Sequence, residues 1–225
     1  MNTASSRLDH KLGFGIGGLL AGALSLALIA LSLQASPSAG RYLESFKQHH
    51  TAYVVTAVLF MTWAVIAVCF VAAVEQLLRV RGEVLARAAT ALSSLGIMLL
   101  AFGYFTSTGA FLAISAAGTP PLPAEAEYQT ALWWNMSFFL SDPGLMAWGL
   151  GFLLFGKLAW KSGVLPNSIA VVGIIGGVAG LLTLAVYQTP VIALLQFLCF
   201  AVWSFAVSVR IFNGPETAVR APELS

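Results

Sequence analysis

Six stretches of the chain, residues 12–33, 52–74, 88–111, 143–160, 167–187 and 190–211, are apolar almost throughout, and between them hold only Lys157 and Arg210 as charged side chains. A helix needs about 20 such residues to cross the roughly 30 Å of hydrocarbon in a bilayer. Inside lipid a chain must also satisfy its own backbone hydrogen bonds, which a helix does within a single segment. The pattern predicts an all-α fold: a polytopic transmembrane bundle of six helices forming one domain over residues 1–213. The polar, turn-rich residues 214–225 are expected to form a disordered cytoplasmic tail. Charged residues make up only 9% of the chain, whereas a soluble domain carries about 25% to wet its surface, so no room is left for a separate soluble domain. A net charge of +2 without any Lys/Arg run excludes a nucleic-acid partner and leaves the lipid bilayer as the expected surroundings.

Orientation follows from the basic residues, which stay on the cytoplasmic side. With both termini cytoplasmic, that side receives Arg7, Lys11, Arg79, Arg81, Arg87, Lys157, Lys161, Arg210 and Arg220, while only Arg41 and Lys47 fall outside. The first apolar run is longer than the roughly 7–15 residues of a secretory signal core, so it is expected to remain as a span.

The stretch "WWNMSFFLSDPGL" sets an aspartate and a proline inside apolar sequence. A helix unbroken from Ala131 to Trp160 would measure about 45 Å, well beyond the hydrocarbon thickness. Asp142 before Pro143 reads as a helix start, with the carboxylate capping free N–H groups and the proline at the first helical position. The fourth span is therefore expected to begin at Pro143. Residues 125–140 are expected to form a short interfacial helix before it, with Trp133 and Trp134 at the membrane surface. At its other end, Gly163 is expected to stop the helix and Pro166 to open the next.

Motifs with a chemical meaning are few. "GFGIGG" satisfies G-x-G-x-x-G, but it opens an apolar helix where a dinucleotide site needs a strand before it. Its glycines, like those of the fifth span, are spaced four apart and suit close helix packing. The two Gly-rich faces serve packing within the chain, or a seam to a partner membrane protein or second copy. His10 lies a bilayer away from His49 and His50, so the three cannot share a haem iron, and no ligand spacing defines a metal site. Cys69 and Cys199 lie at different depths and are expected to stay unpaired. Glu75 and Arg79, four residues apart, are expected to pair on one helix face. No zinc-protease motif, histidine box or facing aspartate pair occurs, so neither catalytic residues nor cofactors are assigned.

The segment from Asp142 to Leu182 carries Gly149, Gly151 and Gly156, then Lys161, Ser162, Gly163, Leu165 and Pro166, then Gly173, Gly176 and Gly177. In this it resembles the later half of a group of bacterial six-helix integral membrane proteins, domain of unknown function 4386. The resemblance implies a fold and a bacterial inner (plasma) membrane location, with no chemistry to carry over.

Three readings of function follow. The first is a non-catalytic accessory or scaffolding subunit of a membrane complex. The second is a small-molecule binder or transporter with an outward cavity lined by Tyr104, Thr106, Thr108, Trp133, Trp134, Asn135 and Asp142. The third is a membrane enzyme acting on lipid or quinone through Asp142 or a histidine. The candidate ligand or partner surface thus comprises His49, His50, Tyr104, Thr106, Trp133, Trp134, Asn135 and Asp142.

Overall fold

In a computed structural model of the chain, residues 3–34, 42–79, 82–117, 124–183 and 190–213 are described, and among them the regular structure is entirely helical. The helices are α1 (Thr3–Gln34), α2 (Tyr42–Gln48), α3 (His50–Leu78), α4 (Glu83–Ala117), α5 (Ala124–Ser162), α6 (Asn167–Leu182) and α7 (Pro190–Asn213). The predicted hairpin residues 187–189 and the tail 214–225 lie outside the described residues. Five helices are long and apolar enough to cross a membrane, namely α1, α3, α4, α5 and α7. Helix α6, at 16 residues, is apolar but only about 24 Å long.

The six apolar helices close into a ring. Helix α1 packs on α3, α3 on α4, α4 on α5, α5 on α6, α6 on α7, and α7 back on α1. Neighbours run antiparallel: Gly15 meets Phe212 near the chain termini, while Gly22 meets Phe205 and Ala201 further along. The start of α1 and the end of α7 therefore share one end of the bundle, here the near end, and α2 belongs to the far end.

Sequence patterning predicts a break at Pro143, and the structure corrects this. Helix α5 runs unbroken for 39 residues with Pro143 inside it, about 58 Å at 1.5 Å per residue. Residues 125–140 are its far half and not a separate interfacial helix. The proline removes one backbone donor, a loss that neighbouring helices make tolerable in membranes. Here the neighbour is α4, itself 35 residues long, which supports α5 on both sides of the proline. A side-chain carbon added at Gly103 would lie 3.1 Å from the Ser137 carbonyl oxygen, and one added at Gly144 would lie 2.9 Å from that of Gly96. Among the described residues, the short helix at the far end is instead α2.

The opposite face of α5 meets α6 as closely. A carbon added at Gly149 would lie 2.8 Å from the Gly180 Cα, and one at Gly177 would lie 2.6 Å from the Leu153 nitrogen. Gly173, Gly176, Gly177 and Gly180 are all buried within the chain, so the Gly-rich face of the fifth span is spent on internal packing and offers no seam to a second molecule. On α1, Gly15, Gly18 and Gly22 likewise face α3 and α7, whereas Gly13 and Gly17 have open space beside them.

Aromatic rings fill the ring of helices. From the near end upward, Phe155 and Phe152 pack on Trp203, Phe152 on Phe200, Phe200 on Trp148, and Trp148 on Trp63 and Phe197; Phe60 caps the column, with centroids 5.0–6.1 Å apart. Hydrogen bonds tie the column to the wall. The Trp63 indole N–H donates to Ser25 at 2.8 Å, and Ser25 donates to the Ala21 carbonyl at 2.8 Å. The buried Gln196 amide donates to the Leu145 carbonyl at 3.2 Å.

Two local expectations have definite outcomes. Gly163 has φ +63°, the left-handed conformation that ends α5, and Pro166 stands as the cap of α6. The Glu75–Arg79 side-chain pair does not form among the described residues. Helix α3 ends at Leu78, and Arg79 caps it with helical backbone angles and its N–H donated to the Glu75 carbonyl. The ion pair lies one turn into α4, between Arg87 and Glu83 at 2.6 Å.

Gly96 sits where α4 and α5 touch backbone to backbone, against Trp148 and Gly144. Overpacking typically costs about 1–3 kcal/mol, and backbone atoms cannot step aside as a side chain can. Gly96→Val is expected to lower the Tm of the detergent-solubilised protein by about 6–12 °C, whereas Gly13→Ala, with open space around it, leaves it unchanged or higher.

Candidate functional site

Above the aromatic column, in the far half of the bundle, the helices form a half-open cavity of about 230 Å³. Five helices build it. Leu28, Ile29 and Ser32 come from the last turns of α1, Phe60 from α3, and Leu100 and Tyr104 from α4; α5 contributes Trp134, Ser137, Phe138, Ser141 and Leu145, and the first turns of α7 contribute Ala193, Leu194 and Phe197. Each element supplies these groups by its period. Trp134, Ser137, Ser141 and Leu145 recur at three- and four-residue intervals and therefore share one face of α5.

The floor is aromatic. Phe60 and Tyr104 stack at 4.9 Å with their planes 24° apart, and Phe197 meets Phe60 edge-on at 5.9 Å. Trp134 and Phe138 form a second pair, perpendicular at 5.6 Å. Hydroxyls of Ser32, Tyr104, Ser137 and Ser141 give the cavity its polarity, and among the described residues no charged side chain lines it. Ser137 donates to the Trp134 carbonyl at 2.7 Å, which leaves its oxygen able to accept. A charged molecule would lose its hydration here without an opposite charge to replace it.

Helix α2 closes the far end beside the cavity. Its Leu43 N–H is accepted by both carboxylate oxygens of Glu127 on α5, at 3.1 and 3.3 Å. This seats Phe46 among Tyr53 and Phe111, at 5.3 and 5.4 Å. Phe111 in turn stacks on Trp134 at 6.1 Å, so the position of a cavity residue depends on α2.

Of the nine residues singled out in the sequence, the structure brings Tyr104 and Trp134 together in the cavity. The others lie apart from it. Trp133 and Asn135 follow Trp134 around α5 to its exposed side, and the Asn135 amide donates to the Ala131 carbonyl of its own helix. Thr106 bonds back to Phe102 and Gly103, and Thr108 is buried outside the cavity. His49 and His50 are exposed at the start of α3, with His50 edge-on to Phe46 at 5.4 Å. Asp142 lies within α5, so it caps no helix, and it does not line the cavity. Among the described residues, no group of three His, Cys, Asp or Glu side chains converges as a metal site would.

Ser137, Phe138 and Ser141 were missed because a break at Pro143 separates them from Leu145. Read as one helix, the stripe from Trp134 to Leu145 is visible. Ser32, Ala193 and Leu194 carry no comparable signal, since only the ring closure between α1 and α7 brings them near α5.

Long apolar helices closed on one another around an aromatic interior define a multi-pass membrane protein. Residues 14–211 match the model of the family described as domain of unknown function (DUF4386), and the chain belongs to that family. No curated protein and no solved structure matches the chain.

The link from α2 to the cavity is testable. Loss of a cap typically costs about 0.5–2 kcal/mol, and here it would be felt locally. Glu127→Gln is expected to speed hydrogen exchange of the Leu43–Phe46 amides and tryptic cleavage at Lys47, while global Tm changes little.

Proposed function

We propose that this chain is a six-span protein of a bacterial inner membrane, with both termini cytoplasmic, that binds a small uncharged lipophilic molecule at its outward end. The observation that carries this reading is the cavity, built by five helices and closed beneath by stacked aromatic rings. Binding sites for small molecules are concave, mostly apolar and furnished with a few convergent polar groups, and this one has that composition. The solid column below it favours a binder over a transporter.

The basic residues support the orientation. Arg79, Arg87, Lys157, Lys161 and Arg210 belong to the near end and Lys47 to the far end, the asymmetry expected when the near end is cytoplasmic. A fluorescent protein fused after Ser225 is expected to fold and fluoresce, and an exported phosphatase at that position to stay inactive; the reverse pair would invert the topology.

A second reading, an accessory subunit of a membrane complex, is favoured by one feature. Tyr128, Leu132, Met136 and Phe139 form an exposed apolar stripe on the far half of α5, with Phe139 at 78% exposure. Native mass spectrometry of the chain extracted from its own membrane in mild detergent separates the two. A bound small molecule, lost in Ala193→Phe, is the expected result. A stoichiometric partner protein with the cavity empty would establish the second reading in its place.

A further inference from the structure

The cavity also specifies what kind of molecule fits it, and the inference that follows rests on the binding reading above. Four properties of the walls act together. The first is charge: among the described residues no Lys, Arg, His, Asp or Glu lines the space, so an ionised ligand would meet no counter-charge from them in a low-dielectric site.

The second is shape. Five of the lining residues, Phe60, Tyr104, Trp134, Phe138 and Phe197, are aromatic, and they lie in two groups. Phe60 and Tyr104 present a stacked pair with Phe197 against its edge, and Trp134 and Phe138 present a perpendicular pair. Rings prefer offset-stacked or edge-to-face neighbours, and surfaces of this kind receive a flat ring better than a flexible chain.

The third is size. At about 230 Å³ the space is below the roughly 300–1,000 Å³ of pockets that enclose a drug-sized ligand. It holds one substituted ring, not a whole lipid. The fourth is the placement of the hydroxyls. In the closed ring of helices, α1 and α5 stand three positions apart by either route, and so face each other across the interior. Ser32 comes from α1, while Ser137 and Ser141 come from α5, one turn apart on the same face. The α5 wall offers both senses of hydrogen bond. Ser141 makes none among the described residues and is available to donate, while Ser137, already donating to Trp134, is available to accept.

We infer that the cavity binds an uncharged six-membered ring carrying oxygens at opposed positions, the head group of a lipid-soluble quinone or its hydroquinone. One oxygen meets Ser137 and Ser141, the other faces Ser32, and the ring lies against Phe60 and Tyr104. No redox step is part of this assignment.

The test uses the full chain in detergent micelles and two uncharged probes of equal tail length, decyl-dimethoxy-methyl-benzoquinone and decanol, with thermal unfolding as the readout. A ligand that binds only the folded state raises Tm as its concentration passes Kd. The quinone is expected to raise Tm saturably in the wild type. The apparent Kd should weaken about five- to tenfold in the Ser137→Ala/Ser141→Ala double variant, and the shift should vanish in Ala193→Phe, which fills the cavity. Leu28→Phe serves the same purpose if Ala193→Phe does not fold, and Leu195→Phe on the exposed side of α7 is the control. Decanol should give no saturable shift. An equal shift with decanol, also lost in Ala193→Phe, would overturn the ring assignment and leave the cavity as a binding site. A quinone shift that survives both cavity-filling variants would overturn the site as well as the ligand class.

Discussion

Helix α5 meets both of its neighbours through its own backbone. On one side Gly144 and Gly151 lie against α4, and on the other Gly149 and Gly156 lie against α6. Lipid tails are as apolar as leucine, so water exclusion does little to hold helices together within a membrane. What remains is close packing, and its return grows as the backbones approach. A helix clamped in this way on two faces cannot tilt without losing both contacts. It can therefore carry a proline at Pro143 and one wall of a cavity with few hydrogen bonds to its neighbours.

The interior shows the same economy. Nine aromatic side chains from Phe60 and Tyr104 down to Phe155 link α3, α4, α5 and α7, with each pair contributing about 0.5–1.5 kcal/mol beyond the area it buries. Few polar links are added. The Trp63–Ser25 bond joins α3 to α1, and the Gln196–Leu145 bond joins α7 to α5; in membrane proteins such bonds average only about 0.6 kcal/mol. They set the angular position of a ring or a helix more than they add to stability. Gly180 leaves room for the Gln196 amide, so even this polar side chain is admitted by a glycine seam.

The all-helical fold and its five long apolar helices were legible in the sequence because hydropathy over twenty residues is a local property. So was the turn at Gly163, where a single residue type answers a single backbone conformation. Pro143 was misread for an instructive reason. The local rule that proline begins a helix competes with tertiary support, and here the support comes from Gly96 and Gly103, some forty residues earlier. That one error carried through to the site, since it cut the stripe formed by Trp134, Ser137, Ser141 and Leu145 and drew attention to Asp142. Trp133 and Asn135, adjacent to Trp134 in sequence, turn away from the cavity by the ordinary 100° per residue of a helix. Helix α2 escaped notice because seven residues carry too little periodicity to stand out, and its anchor, Glu127, lies eighty-four residues away.

The column of rings beneath the cavity gives the molecule the form of a cup. A guest resting on Phe60 and Phe197 would have the stacked rings of Trp63, Trp148 and Phe200 below it. Under the binding role proposed above, arrival and departure would share one face, and occupancy would follow the abundance of the guest on that side alone.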